Sequence, residues 1–150
     1  MRENFEQSFA LILELEGGGT VSRDADDPGG TTKWGISQRA HPTLKVDELT
    51  MEQARDIYRR DYWFKSGCDE LPHPLDLCVF DCAVNQGIGR ARQLLRDHPS
   101  WEAYLLRRLA HYKSLGNRKF FTSWVNRVLR LYDYLMAGKA TMPLAEERKG

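Results

Sequence analysis

A run of three glycines, Gly17-Gly18-Gly19, places the strongest constraint on how this chain can fold. Before it, Phe5, Phe9, Ile12 and Leu13, with Leu15 beside them, recur at helical spacing and predict a helix over 3–16. Each glycine disfavours helix by about 1 kcal/mol relative to alanine, so three in a row stop it and leave Glu16 as the last helical residue. Residues 17–35 are then rich in Gly, Asp, Thr and Pro, with their tightest turn signal at Asp26-Asp27-Pro28-Gly29-Gly30. They read as a long irregular loop with room for a short hairpin, and such a loop inside a domain is usually functional.

Helices punctuated by capping residues, Gly and Pro fill the rest. Gly35 to Ala40 is expected as a short helix ended near His41-Pro42. Thr50 reads as an N-cap and Gln53 completes a capping box, opening a helix to about Phe64 with Ala54, Ile57 and Tyr58 inward. Pro72 and Pro74 flag a helix start; that helix runs to Gln86 and breaks at Gly87 and Gly89. A short helix over 90–97 ends near His98-Pro99, Ser100 caps another that stops at Gly116-Asn117, and Lys119 to Ala137 forms the last. The expected fold is mostly α, a single domain, with a small irregular or β region after the first helix.

Composition removes several function classes. The chain has 150 residues, 41% hydrophobic and 29% charged, with a formal net charge of +1, which suits an ordinary core and excludes disorder and collagen. No run of about 18 apolar residues is present, so no membrane insertion is expected. The opening MRENFEQSFALILELEGG lacks the pattern of a signal peptide, so synthesis in a cytoplasm is expected. The first fifty residues carry five basic and nine acidic side chains, the last fifty ten and four. This suits early carboxylates with a rear facing an anionic polymer, and equally suits solvated helix faces. Cys68, Cys78 and Cys82 are odd in number and lack zinc-site spacing, so buried free thiols and no metal are expected. The four histidines fit no nucleophile pattern.

The residues suited to chemistry gather around the glycine run. A carboxyl at a helix C-terminus feels the negative end of the dipole, which favours its protonated form, as a glycosidase acid requires. Glu16 fits, provided it faces a cleft and is not locked in a permanent pairing with Arg or Lys. Asp24 and Asp27 could supply a second carboxylate or orient water, or could simply shape the bend; Asp26, before Pro-Gly, reads as turn chemistry. Thr32 adds a hydroxyl. Trp34 and Tyr62 offer aromatic faces for a sugar, whereas Tyr58 reads as core. Asn85 and Gln86 precede Gly87 and offer amides to a substrate, or serve as a helix cap.

The stretches ILELEGG, DADDPGGTTKWGIS and LTMEQARDIYRRDYW closely resemble the phage-type N-acetylmuramidases of glycoside hydrolase family 108. DLCVFDCAVNQGIGRARQLL is similar to that family's central helices, and FFTSWVNRVLRLYDYL to a C-terminal region thought to bind peptidoglycan. The resemblance covers nearly the whole chain, and E-G-G followed by D-P-G-G-x-T-x-x-G-I-S is highly specific. It implies a single lysozyme-like α (α+β) domain over 1–150, with a catalytic part over about 1–90 and a helical part over about 91–140. The sequence departs from relatives in having Gly19-Thr20-Val21 where an aromatic residue often follows E-G-G, and in a shorter segment between Leu95 and Trp101.

The implied activity is hydrolysis of the β-1,4 bond between N-acetylmuramic acid and N-acetylglucosamine, without a cofactor. The resemblance makes Glu16 the catalytic acid, with Asp27 and Thr32 sharing the site. The implied setting is a phage endolysin made in the host cytoplasm, released through a holin and acting on peptidoglycan in the periplasm as a monomer, with no nucleic-acid partner; a virion-associated lysin is the variant of that setting. Two other readings stay open: a lytic transglycosylase, and a non-catalytic wall-binding or secretion-assisting protein on the same fold.

Overall fold

The computed structural model describes residues 2–19, 21–23 and 30–138. In chain order the elements are α1 (Arg2–Leu15), β1 (Ser22–Arg23), β2 (Thr31–Lys33), β3 (Ile36–Ser37), α2 (Met51–Ile57), α3 (Leu75–Gln86), α4 (Ile88–Leu94), α5 (Trp101–Leu115) and α6 (Arg118–Met136). Short 3₁₀ turns cover Val46–Glu48 and Cys68–Glu70, and α2 continues as a π-helical segment over Tyr58–Phe64.

Helix α3 is the axis. Every residue from Leu75 to Ala83 is buried, as expected of a helix that is apolar nearly all round and packed on several sides. Helices α1, α4 and α5 and the π-helical segment all lie against it. An aromatic cluster ties these elements together: Phe5 meets Trp63 edge-on with centroids 5.5 Å apart, and Trp63 meets Phe80 edge-on at 5.2 Å. Each such ring contributes about 1.5–3 kcal/mol by leaving water. The Trp63 indole N–H donates to Asp69 at 2.6 Å, so the polar edge of this buried ring is satisfied.

The capping signals hold. Thr50 accepts from the Gln53 amide at 3.2 Å while the Gln53 side chain accepts from the Thr50 amide at 2.9 Å. Ser100 caps α5 by accepting from Ala103, and Asn117 caps α6 by accepting from Phe120. Cys68, Cys78 and Cys82 are free and buried. Among the described residues no helix is long and apolar enough to cross a membrane.

Two expectations need correction. Gly35–Ala40 is not a helix. β2 and β3 form the second hairpin of a three-stranded antiparallel sheet, with Thr32 opposite Ser37 and Lys33 opposite Ile36. The Gln38 amide extends the ladder by donating to Thr31, and its side chain pins the following turn through the carbonyls of His41 and Leu44. Gly89 does not break the chain either: α4 begins at Ile88 and contains it.

Candidate active site

Helix α1 ends in a Schellman motif. The Gly18 amide donates to Leu13 at 2.7 Å and the Gly17 amide to Glu14 at 3.3 Å, with Gly17 left-handed at φ 88°. Glu16 is therefore the C-cap residue, half-buried where the helix meets the sheet.

The β2–β3 hairpin closes over the stem of Glu16. Its two-residue loop is Trp34-Gly35, with φ of 55° and 72°, the signature of a type I′ turn. A Cβ on Gly35 would lie 2.8 Å from Glu16 Cβ and closer still to the Tyr58 hydroxyl. The glycine of the W-G-I-S stretch is thus required twice, for its φ and for the approach of the hairpin to the carboxyl-bearing side chain. Trp34 is strained by its positive φ, and two hydrogen bonds hold it there: its Nε1 donates to the Leu49 carbonyl at 2.9 Å and its own carbonyl accepts from Tyr58 at 2.8 Å. Its ring lies against Gly19, where an added Cβ would meet ring carbons at 2.6–3.0 Å. A side chain at position 19 and the Trp34 ring, as it is placed, cannot share this space.

Glu16 does not stand apart from cations. Arg127 of α6 donates from Nη1 to Glu16 Oε1 at 2.6 Å, with the two side chains 11% and 23% exposed. This is the pairing that a free acid was expected to avoid. Arg127 is anchored from below: its Nε and Nη2 both donate to Asp81 Oδ1, at 3.0 and 2.8 Å. Asp81 is fully buried, and its other oxygen accepts from Arg108 Nη1 at 2.7 Å. Burial alone would push the Asp81 carboxyl up, but Arg127 and Arg108 outweigh it and hold it below the ordinary carboxylate range. Arg108, also fully buried, donates from Nη2 and Nε to the Tyr112 hydroxyl at 2.8 and 3.1 Å, and that hydroxyl donates to Asn85 Oδ1 at 3.1 Å. Two carboxylates and two guanidiniums balance in formal charge, so the cluster is neutral with Glu16 ionised.

Several residues singled out in the sequence converge here. Tyr62 stacks at a tilt on Tyr58, with centroids 5.5 Å apart, and its phenol is pushed up by burial and then by the nearby Asp61 and Glu16 carboxylates. Asn85 joins through Tyr112, and Gln86 donates to Asn85 Oδ1 at 3.1 Å. Thr32 lies mid-sheet, half-buried, with no side-chain hydrogen bond among the described residues. Trp34 belongs to the site as a wall, its indole N–H already committed to Leu49. Asp24 and Asp27 lie outside the described residues.

The sequence reading missed Asp81, Arg108 and Arg127. A signal was present. Asp81 interrupts the apolar run of α3, and Arg108 sits four residues from both Tyr104 and Tyr112 on an inward face. A charge in such a position must find an opposite charge or a hydrogen-bond partner.

Comparison with known proteins gives the chain a family and a structural relative. Residues 9–87, more than half of the chain, match the family model described as Glycosyl hydrolase 108, and the chain belongs to that family. The matched segment contains Glu16, the hairpin and α3, whereas Arg108 and Arg127 lie beyond it. Among solved structures the chain resembles SagA of Brucella abortus at 26% identity and a TM-score of 0.75, over 91% of this chain and 96% of that one. No protein of curated function matches the sequence.

Proposed function

We propose that this glycosyl hydrolase is an N-acetylmuramidase that cleaves the β-1,4 bond between N-acetylmuramic acid and N-acetylglucosamine in peptidoglycan. The observation that carries the reading is Glu16, a partly exposed carboxyl at a helix end, gripped at its stem by the Gly35 hairpin within the family-matched segment. Glu16 protonates the glycosidic oxygen. Asp27, or Asp24 second, steadies the oxocarbenium-like transition state or orients water, and Thr32 positions that water or the sugar. The setting proposed is a phage-type lysin acting on the wall after release from the cytoplasm.

The Arg127 contact limits how Glu16 can act. Arg127 touches only Oε1, so the transferable proton belongs on Oε2, which has no partner among the described residues. Oε1 can accept from the guanidinium in either protonation state. Because the cluster is neutral with Glu16 ionised, protonating Glu16 leaves one uncompensated positive charge beside the scissile bond. Glu16→Gln tests the assignment, since the amide oxygen still accepts from Arg127 while the acid is removed. Release of new reducing ends from purified peptidoglycan should fall by at least about a hundredfold. A folded variant that clears cell-wall suspensions at the wild-type rate would refute the role.

The same ion pair favours a second reading, in which Glu16 is a strut and the protein binds the wall without turnover. Binding of purified glycan with no new reducing ends in the wild type would select it. Anhydro-muramic products seen by mass spectrometry would instead identify a lytic transglycosylase.

A further inference from the structure

Helices α5 and α6 pack as an antiparallel pair with an apolar outer side. Trp101 stacks at a tilt on Tyr132 at one end of the pair, and Tyr112 on Trp124 towards the other, which sets their register. Arg107 donates to the Leu94 and Arg96 carbonyls, so that edge of α5 faces the end of α4. Leu106 and Leu109 lie on the opposite edge, beside α6. On α6, Arg127 points inward to Asp81, and Phe121, Val125, Leu129, Tyr132 and Met136 recur every three or four residues on the side away from it. Tyr132 meets Trp101, so this stripe borders α5 and the two edges make one surface. Leu106 is 65% exposed and Met136 60%, with Leu129, Tyr132 and Phe121 between 38% and 49%. Together these five side chains open roughly 500 Å² of surface, more than the about 400 Å² above which an apolar patch on a small domain calls for a partner.

The charges on this face say what fits it. Along α5 the exposed edge reads Glu102, Leu106, Leu109, Lys113: an acid at one end, a base at the other, leucines between. Glu102 lies at the Tyr132–Met136 end of the surface, and Lys113 at the Phe121 end, where Arg118 adds a second cation. Within one chain Glu102 and Lys113 are about 16 Å apart along the helix and do not pair with each other. Reversed end for end, the pattern complements itself. A two-fold axis through its centre sets the leucines against those of a second copy, and the acidic end of each copy against the basic end of the other. The area agrees, since a homodimer interface of about 800 Å² per partner is about two-thirds apolar.

We infer that the outer face of α5 and α6 binds a second copy of this chain, forming a two-fold dimer in which Glu102 of each copy meets Lys113 and Arg118 of the other. A monomer is what the family resemblance implies, and this face departs from that. The inference is read from α5 and α6 alone and does not rest on the proposed reaction. The interface lies on the side of α6 opposite Arg127, so both Glu16 carboxyls stay outside it. The dimer thus carries two separate sites towards one polymer, which raises its hold on a strand without any new contact.

Sedimentation equilibrium of the full chain over about 1–200 μM tests this, a range suited to an interface of standard size. Wild type should fit a dimer with a micromolar or lower Kd. Leu129→Asp places a charge at the centre of the exposed face and should weaken the dimer at least about a hundredfold, with the helices intact by circular dichroism. Glu102→Lys alone, and Lys113→Glu with Arg118→Glu, should each weaken self-association about tenfold, because every contact in a two-fold interface occurs twice. Mixing these two variants should restore a dimer of one chain of each, identified by mass spectrometry of the intact complex. The swapped positions are exposed, so this pair decides the matter should Leu129→Asp fail to fold. A wild type that stays monomeric at every concentration overturns the inference. So does a dimer indifferent to Leu129→Asp, or a mixture with no preference for the unlike pair. A monomer whose retention on purified sacculi or phosphatidylglycerol vesicles falls with Leu129→Asp gives the face to a wall or lipid partner and likewise overturns the dimer. None of these outcomes bears on the Glu16→Gln assay, so the hydrolase reading stands or falls separately.

Discussion

At the scale of single residues, the glycines around Glu16 separate into two kinds. Gly17 has φ 88° but nothing within 4 Å of a built Cβ, so Gly17→Ala costs only the left-handed backbone, about 1–2 kcal/mol. Gly35 has φ 72° and a Cβ there collides with Tyr58 and Glu16. Gly35→Ala should therefore lose more stability than Gly17→Ala in urea titrations. It should also lower kcat about a hundredfold, since a displacement of about 1 Å at the acid is enough. Equal kcat in the two variants would contradict the view that the hairpin sets the carboxyl's position. The sequence showed this glycine as part of a motif but not what it touches. Trp-Gly is an unusual pair for a type I′ turn, which favours Asn-Gly, so the local signal for a hairpin was weak and a short helix was read instead.

At the scale of elements, local chemistry was readable and long-range chemistry was not. The Thr50–Gln53 capping box, the Ser100 cap and the glycine stops act within a few residues, so their spacing alone places α2 and α5. Thr50→Ala should remove about 1 kcal/mol of stability and leave activity unchanged, as checked by denaturant titration alongside an assay. The π-helical turn over Tyr58–Phe64 has no comparable spacing signal, and the sequence showed one continuous helix there. The Arg127 bonds to Glu16 and Asp81 span 111 and 46 residues, and no periodicity along one helix reveals such partners. Arg127→Met tests what this contact does. If it steadies the acid, kcat should fall while the amphipathic α6 stays folded by circular dichroism. An unchanged kcat would show that Glu16 needs no support from α6.

At the scale of the whole molecule, the buried cluster links stability to pH. The Asp81 carboxyl lies below its ordinary value when folded, so its contribution is complete above about pH 4 and is lost as pH falls through the folded value. The stability gap between wild type and Asp81→Asn should be constant from pH 7 to about 4 and shrink below that. Asp81→Ala leaves Arg108 buried with no carboxylate and should cost about 3–5 kcal/mol at pH 7, read from urea unfolding. The mostly helical architecture was legible because glycines, prolines and caps divide the chain. The charge cluster at its centre was not, because it depends on the end of α1 meeting α3, α5 and α6.

The ion pair between the opening helix and the closing one has a practical corollary for anyone cutting or recombining this enzyme. A fragment ending at residue 87 would keep Glu16 and Asp81 yet lack both guanidiniums that satisfy them. Replacing α5 and α6 with another segment would accordingly leave Glu16 and Asp81 without these partners unless the replacement restores two arginines in the same positions.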